Sequence, residues 1–169
     1  TVAVVGPANV GKSTLVNTLV GRSVSITQDL PGTTRDWVRA MLTLESTVGP
    51  IAVQWMDTAG LRHAAQADAI EARAIELTRA VLDEADVLVA MRDVDTDWPE
   101  AQGLPRAPEL WVVNKADRRH DALPTQPGTG ARDDPLLISA MRGWVLGRLG
   151  RAITAALGFP ESPPLPIAF

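Results

Sequence analysis

The sequence contains no cysteine, no tyrosine, two phenylalanines and two histidines among its 169 residues. Without cysteine the chain forms no disulfide and offers no thiolate to a metal, which fits a reducing cytoplasm. No apolar run approaches the roughly 18 residues that a membrane-spanning helix needs. A net charge of −4 leaves no excess of basic side chains, which argues against a broad nucleic-acid-binding surface. We therefore expect a soluble, cytoplasmic protein without a membrane partner.

The length and the 46% hydrophobic content suit one globular domain with a core, which we assign to residues 1–157. Residues 158–169 hold four prolines, which predicts an extended tail. An apolar strand follows Thr1 at once, so no signal peptide is expected. This abrupt start suggests an excised domain or a trimmed N-terminus.

Residues 6–14, GPANVGKST, lie between an apolar run and a helical pattern, the context of a P-loop. Gly6 and Gly11 allow a concave turn whose N–H groups point inward, next to the positive end of a helix dipole. Lys12 is expected to reach the β- and γ-phosphates, and the Ser13 hydroxyl to bind the bridging Mg²⁺. The predicted phosphate-binding residues of this loop are Asn9, Val10, Gly11, Lys12, Ser13 and Thr14.

Short apolar runs predict strands at 37–45, 51–56, 86–91, 110–113 and 136–138, after a first strand at 1–5, and helices over 68–84 and 144–156. The strands at 37–45 and 51–56 are expected to form an edge hairpin. Prolines and glycines in 94–108 and 118–134 predict abbreviated helices. The pattern favours an α/β fold with a mixed, mostly parallel sheet of about six strands flanked by helices. The tryptophans are expected in the core, with Trp98 partly exposed.

The sequence Asn114-Lys115-Ala116-Asp117 directly follows a predicted strand. The Asp117 carboxylate can accept hydrogen bonds from guanine N1–H and the 2-amino group, a donor pair that adenine lacks. Asn114 can brace the purine N7, and the stem of Lys115 can lie over the ring. Further along, Ser139 and Ala140 are expected to support guanine O6 through a backbone N–H. The chain is therefore predicted to bind GTP and GDP.

Asp57 begins the sequence Asp-Thr-Ala-Gly at the end of a predicted strand. Its carboxylate can hold Mg²⁺ through a water, and the Gly60 N–H can approach the γ-phosphate because glycine has no side chain. In the preceding loop, Thr33 and Thr34 compete for the role of sensing Mg²⁺ and the γ-phosphate.

The motifs GPANVGKST, PGTTRD, DTAGLR, NKAD and ISA occur in this order, and together they resemble the guanine-nucleotide motifs of translation-factor-class GTPases. They are most similar to the TrmE–Era–EngA group, and within it to the tRNA-modifying GTPases of the TrmE (MnmE) family. The resemblance covers residues 1–157 and implies a P-loop NTPase G domain that hydrolyses GTP to GDP and phosphate with Mg²⁺. It also implies that Thr34 is the Mg²⁺ ligand. The alternatives are an Era- or EngA-like ribosome-assembly GTPase and a switch that barely hydrolyses GTP.

The residue after Gly60 is Leu61, where small GTPases place a glutamine that orients water. The resemblance implies that Glu71 acts as the catalytic glutamate through water, and that Asn9 helps to hold a potassium ion that dimerising G domains trap in place of an arginine finger. His63 is an alternative residue for orienting water. A tRNA- or ribosome-related partner would be reached through regions outside this chain.

Overall fold

In a computed structural model, the described residues are 1–22, 39–46, 48–57, 79–100, 103–119 and 128–159, with only the backbone at 22, 39 and 57. The strands are β1 (Val2–Val5), β2 (Arg39–Ser46), β3 (Gly49–Asp57), β4 (Val87–Asp93), β5 (Leu110–Asn114) and β6 (Leu136–Leu137). The helices are α1 (Lys12–Arg22), α2 (residues 79–84) and α3 (Leu146–Ala156), and Ala116–Arg118 form a 3-10 turn.

The strands of the described residues form one sheet in the order β2–β3–β1–β4–β5–β6. Only the β2–β3 pair is antiparallel, and the other four pairs are parallel. The predicted mixed, mostly parallel α/β sheet of about six strands is therefore confirmed. The central strand β1 is buried along its whole length. This burial explains why its sequence is a continuous apolar run, since a parallel strand is covered on both faces.

The edge hairpin differs in one detail from the sequence-based expectation. The second predicted strand starts at residue 51, but β3 begins at Gly49 and includes Pro50, which lies opposite Glu45. Proline is tolerated here because antiparallel ladders alternate bonded and unbonded pairs, and an unbonded pair requires no N–H. The Ser46 hydroxyl donates to the Gly49 carbonyl oxygen at 2.6 Å and closes the hairpin.

One face of the sheet packs against α1 and α3 through a large aliphatic cluster. Alternate residues of the strands supply its floor, and apolar residues of the two helices cover it. Examples are Val2, Val4, Leu42, Val89, Val112, Leu15, Leu19, Leu149 and Ile153. Burial of this face anchors α1, and therefore the loop that precedes it, to the sheet.

The opposite face is covered differently, because the described residues of 94–108 and 118–134 contain no α-helix. A smaller cluster of Ala3, Val5, Leu82, Ala85, Leu88, Ala90 and Trp111 lies there. The Trp98 and Trp111 rings pack edge to face with centroids 4.9 Å apart, and the Arg92 guanidinium lies 4.8 Å from the Trp98 centroid. Aromatic and cation–π packing thus covers part of the surface that a crossover helix would otherwise cover.

Trp144 departs from the expected core location, since it is 41% exposed. It precedes α3 and forms an isolated β-bridge with Ser139. The helix begins later than predicted because Val145 has a φ of 64°, in the left-handed region, which ends helical geometry on its N-terminal side.

No helix in the described part of the chain is long and apolar enough to cross a bilayer. Residue 159 is the last one that the structure describes, so the domain boundary between residues 157 and 158 stays a prediction.

Candidate functional site

The predicted site residues that the structure describes gather at the carboxyl edge of the parallel strands. The P-loop, residues 6–14, follows β1, and the NKAD loop, residues 114–117, begins at the end of β5. Residues 139–144 follow β6 and form a third loop. In an open α/β sheet the carboxyl edge is where ligands bind, because the loops that follow the parallel strands converge there.

Two glycines of the P-loop lie so close to residues of the neighbouring strands β4 and β5 that neither position has room for a Cβ. A Cβ on Gly6 would lie 2.0 Å from the carbonyl oxygen of Met91 in β4. Gly11 has a φ of +97°, and a Cβ there would lie 2.4 Å from Asn114 Nδ2. Both positions therefore disfavour any side chain. At Gly6 the Cβ would clash with the backbone of Met91, and at Gly11 it would clash with the Asn114 side chain and would strain the positive φ.

Lys12 begins α1 and is only 5% exposed. Its ammonium donates to the carbonyl oxygens of Gly6 at 3.0 Å and Pro7 at 2.7 Å, so it lies across the loop. Val10 is fully buried in the core and anchors the loop, whereas Ser13 and Thr14 are exposed on the first turn of α1. The P-loop thus combines a fixed backbone with a buried cation, as phosphate binding requires.

Asn114 connects two loops and is 2% exposed. Its Nδ2 donates to the Val10 carbonyl oxygen at 2.8 Å, and its Oδ1 accepts from the Ala140 N–H at 2.9 Å. Both ends of the amide are therefore used inside the protein. The Ala140 N–H, predicted to support guanine O6, is bonded to Asn114 in this structure.

Lys115 makes a second connection between the NKAD loop and the P-loop. Its φ of 57° is left-handed, and its ammonium donates to the Asn9 carbonyl oxygen at 2.7 Å and to Asp93 Oδ2 at 2.5 Å. Burial opposes the charge on Asp93, but hydrogen bonds from Lys115 and Thr96 outweigh it. The pKa of Asp93 consequently lies below its usual range.

Asp117 is positioned by a residue of the third loop. The Ser139 hydroxyl donates to Asp117 Oδ1 at 2.6 Å, and Ser139 itself is fully buried. The Ser139 oxygen in turn accepts the Arg142 N–H at 3.2 Å. Asp117 is half-buried, so its carboxylate is both oriented from one side and reachable from the other. Such a carboxylate can accept a pair of N–H donors from a base.

Mg²⁺ is a hard cation that prefers oxygen ligands, and one such donor, the Ser13 hydroxyl, lies among the described residues. Ser13 offers a hydroxyl beside the P-loop, and the backbone of Asp57 lies at the end of β3, opposite Val4 of β1. Asn9 has a φ of 63° and an exposed side chain. Within the described ranges no group of three or more His, Cys, Asp or Glu side chains forms a separate metal centre.

Several predicted site residues lie outside the described residues. These are Thr34, Gly60, Glu71 and the alternatives Thr33 and His63. Of Asp57 the structure describes the backbone but not the side chain. Their roles stay predictions.

Asp93 is the site residue that the sequence interpretation missed. The predicted strand ended at residue 91, two residues short, so Asp93 was not recognised as a strand terminus. The sequence signal that could have identified Asp93 is an acidic residue shortly after an apolar run that forms a parallel strand. The carboxyl ends of such strands carry the ligand-binding loops.

Comparison with known proteins gives matches over the region that carries this geometry. The model of the family described as 50S ribosome-binding GTPase matches residues 1–115. GTPase Der of Brucella anthropi is 39% identical and aligns with 94% of this chain and 33% of its own length. The tRNA modification GTPase MnmE of Cytophaga hutchinsonii is 38% identical over 72% of this chain and 27% of its own length. The chain thus spans about a third or less of these relatives.

A solved structure is similar as well. The crystal structure of an Aquifex aeolicus Era variant bound to GDP and aluminium fluoride superposes with a TM-score of 0.59. It is 30% identical in sequence and covers 97% of this chain and 58% of the Era chain.

Proposed function

The chain belongs to the 50S ribosome-binding GTPase family and is a GTP hydrolase of the TrmE–Era–EngA class; from that premise we propose that its hydrolysis of GTP to GDP and phosphate requires Mg²⁺, is assisted by potassium and depends on contact between two G domains. This is the TrmE-like interpretation of the site. The proposal also keeps the cytoplasmic location predicted from the composition.

The observation that supports guanine nucleotide binding most directly is the pair of connections between the P-loop and the NKAD loop. Asn114 bonds to Val10, and Lys115 bonds to Asn9. These bonds hold a phosphate-binding loop and a base-binding carboxylate at fixed positions on one sheet edge. A ligand with a purine at one end and phosphates at the other matches that arrangement.

We assign the phosphates to the P-loop and Lys12, together with the Gly60 N–H. Ser13, Thr34 and Asp57 would hold Mg²⁺, which neutralises charge on the β- and γ-phosphate oxygens when bound. Asp117 would read the base with its carboxylate oriented by Ser139. The Ala140 N–H is bonded to Asn114, which together with Lys115 would hold the loop. In this assignment the protein chiefly positions the nucleotide and stabilises its charge.

Leu61 makes the catalytic step unusual. An apolar side chain cannot orient water by hydrogen bonding, so another group must take that role. We propose that Glu71 orients the attacking water. A potassium ion held by Asn9 would supply positive charge where other GTPases use an arginine finger. The exposed Asn9 side chain is accessible to such an ion and to a second copy of the chain.

The test is multiple-turnover phosphate release in potassium and in sodium over a range of protein concentrations. We expect faster release in potassium, a more than linear dependence on protein concentration, and loss of both effects in Asn9→Ala. An arginine finger contributes about 10³ to 10⁵ in rate, so the potassium effect should exceed tenfold if the ion replaces it. Asn17→Ala is the matched control, because Asn17 is also exposed but lies on α1 outside the P-loop.

Two results would contradict the potassium proposal. One is equal phosphate release in the two salts. The other is a strictly monomeric complex with GDP and aluminium fluoride in potassium. Together they would favour a GTP-binding switch with little intrinsic hydrolysis.

A ribosome-related role is the second candidate, supported by the match of residues 1–115 to the family described as 50S ribosome-binding GTPase. The test is cosedimentation of the protein encoded by the complete reading frame with purified 50S subunits. Binding in a non-hydrolysable GTP analogue but not in GDP supports it. Absence of cosedimentation in both nucleotide states contradicts it.

A further inference from the structure

Strand β4 lies between β1, which leads into the P-loop, and β5, which leads into the NKAD loop. Its last residue, Asp93, is paired in register with Asn114 of β5. Asp93 therefore stands between the two loops that contact the two ends of the nucleotide. It is 4% exposed, so its charge needs partners within the protein.

The two carboxylate oxygens of Asp93 serve different neighbours. Oδ1 accepts the Asp95 N–H at 3.1 Å, and Oδ2 accepts the Lys115 ammonium at 2.5 Å. The Asp93 N–H donates to the Thr96 hydroxyl oxygen at 3.0 Å, which closes the turn after β4. Arg92 reinforces this turn, because its Nη1 donates to the Asp93 and Thr96 carbonyl oxygens. These bonds within the turn orient the Asp93 carboxylate independently of Lys115.

Asp93 matters to Lys115 because, among the hydrogen bonds of the described residues, its ammonium would otherwise be held by one carbonyl oxygen, that of Asn9. Its backbone is in the left-handed region, so the turn that aims its side chain toward the P-loop is itself unfavourable. A charge-assisted bond to a fixed, buried carboxylate stabilises this arrangement.

We propose that Asp93 is a positioning residue for guanine nucleotide binding: its carboxylate holds Lys115 on the P-loop, so that the base-reading loop and the phosphate cradle keep a fixed separation. Asp93 acts through Lys115 and touches no part of the nucleotide. The inference rests on the proposed binding of guanine nucleotide at this edge.

The experiment measures the release rate of a fluorescent GDP analogue after mixing with excess unlabelled GDP. Asp93→Asn keeps the size of the side chain and the acceptor for the Asp95 N–H but removes the charge that holds Lys115. We expect release to become about tenfold faster or more, as for loss of one partner of a buried charge pair. Asp95→Asn is the matched control, since Asp95 lies exposed in the same turn, and its release rate should be unchanged.

A double-mutant cycle with Lys115→Met separates positioning from a general structural effect. Lys115→Met keeps the apolar stem but removes the ammonium, so it should also speed release. If Asp93 acts through Lys115, adding Asp93→Asn to Lys115→Met produces no further increase. Multiplicative rate increases in the double variant would overturn the proposal.

Thr96→Val provides a milder variant if circular dichroism shows that Asp93→Asn does not fold. It removes the hydroxyl contact to Asp93 without removing a charge, and we expect a two- to threefold increase in release, about half a kcal/mol in equivalent free energy. An unchanged release rate in folded Asp93→Asn, or in Thr96→Val if the former is unfolded, overturns the inference and leaves the proposed function intact. If the unsubstituted chain does not bind the GDP analogue, the proposed function itself fails.

Discussion

At the phosphate end of the site, Lys12 bonds to carbonyl oxygens five and six residues before it. At the base end, the Ser139–Asp117 and Ala140–Asn114 bonds span 22 and 26 residues. The bonds that join the ends, Asn114 to Val10 and Lys115 to Asn9, span 104 and 106 residues. The phosphate end is therefore internally bonded over a short stretch, whereas the base end requires β5 and β6 to pair, and the bonds between the two ends also require β1 and β4 to be in place.

This difference indicates how each end should respond to substitution. A change at the phosphate end acts mainly through the shape of one loop, and it should affect every nucleotide alike. A change at the base end acts on a carboxylate held by a distant residue, and it should alter selectivity between bases. Three substitutions test this contrast, and a fourth tests the backbone strain at the junction of the third loop and α3.

The largest effect is expected from Asp117→Asn. The new amide group no longer matches the guanine N1–H and 2-amino donors, but its NH₂ can donate to the 2-oxo group of xanthine. Preference for GTP over xanthosine triphosphate should change by about a thousandfold or more, since unpaired polar groups in a binding site discriminate strongly. Competition binding with the two triphosphates measures this ratio. Normal GTP affinity in the variant would show that the NKAD loop does not read the base.

Gly6→Ala should act on the phosphate end without changing base selectivity. The added Cβ would lie 2.0 Å from the Met91 carbonyl oxygen, so the loop backbone must move. We expect about a hundredfold loss of affinity for GDP and xanthosine diphosphate alike, because a displaced loop loses several backbone contacts to phosphate. Isothermal titration with both nucleotides provides the measurement.

Gly21→Ala is its control, because a Cβ there would lie more than 4 Å from the atoms of its described neighbours and Gly21 lies in α1. It should keep nucleotide affinity and raise stability by about 0.5–1 kcal/mol through helix propensity. Equal affinity losses in the two alanine variants would contradict the assigned role of Gly6.

Ser139→Ala tests whether the base end depends on its supporting hydrogen bond. Loss of the hydroxyl frees Asp117 to rotate, and we expect about a tenfold loss of GDP affinity, as for one charge-assisted hydrogen bond. Binding of inorganic pyrophosphate, which occupies only the phosphate end, should not change.

Ser46→Ala is the matched control for Ser139→Ala, since it also removes a hydroxyl bond but in the distant hairpin. Its GDP affinity should equal that of the unsubstituted chain. A loss of pyrophosphate binding in Ser139→Ala would show that the two ends do not respond separately.

The smallest effect is expected from Val145→Gly, at the junction of the third loop and α3. A valine with a φ of 64° carries about 1–2 kcal/mol of backbone strain, and glycine relieves it. This gain offsets the lost side-chain packing and the entropy of glycine, so the unfolding free energy should change by less than about 1 kcal/mol. Urea denaturation measures it. Val89→Gly, in a buried strand of ordinary geometry, should lose about 3 kcal/mol; equal losses would contradict the strain argument.

The sequence by itself determined the P-loop, the NKAD motif and the mixed sheet. Each depends on residues close together in the chain: glycine spacing for the loop, and apolar runs bounded by turns for the strands. The terminal residues of strands were less well predicted, as at β4, because polar residues at a strand end are set by what lies beside them.

Tertiary structure alone decided which distant side chains hold the site together. Asp93 contacts Lys115 because β4 lies between β1 and β5. This strand order depends on packing against both faces of the sheet, and no local sequence pattern specifies it. The same placement brings Met91 against Gly6 and Asn114 against Gly11. Local sequence specifies the turn of the P-loop, but the position of the Asp117 carboxylate, which we propose reads the base, depends on strand order, because hydrogen bonds between distant residues form only once the strands are neighbours.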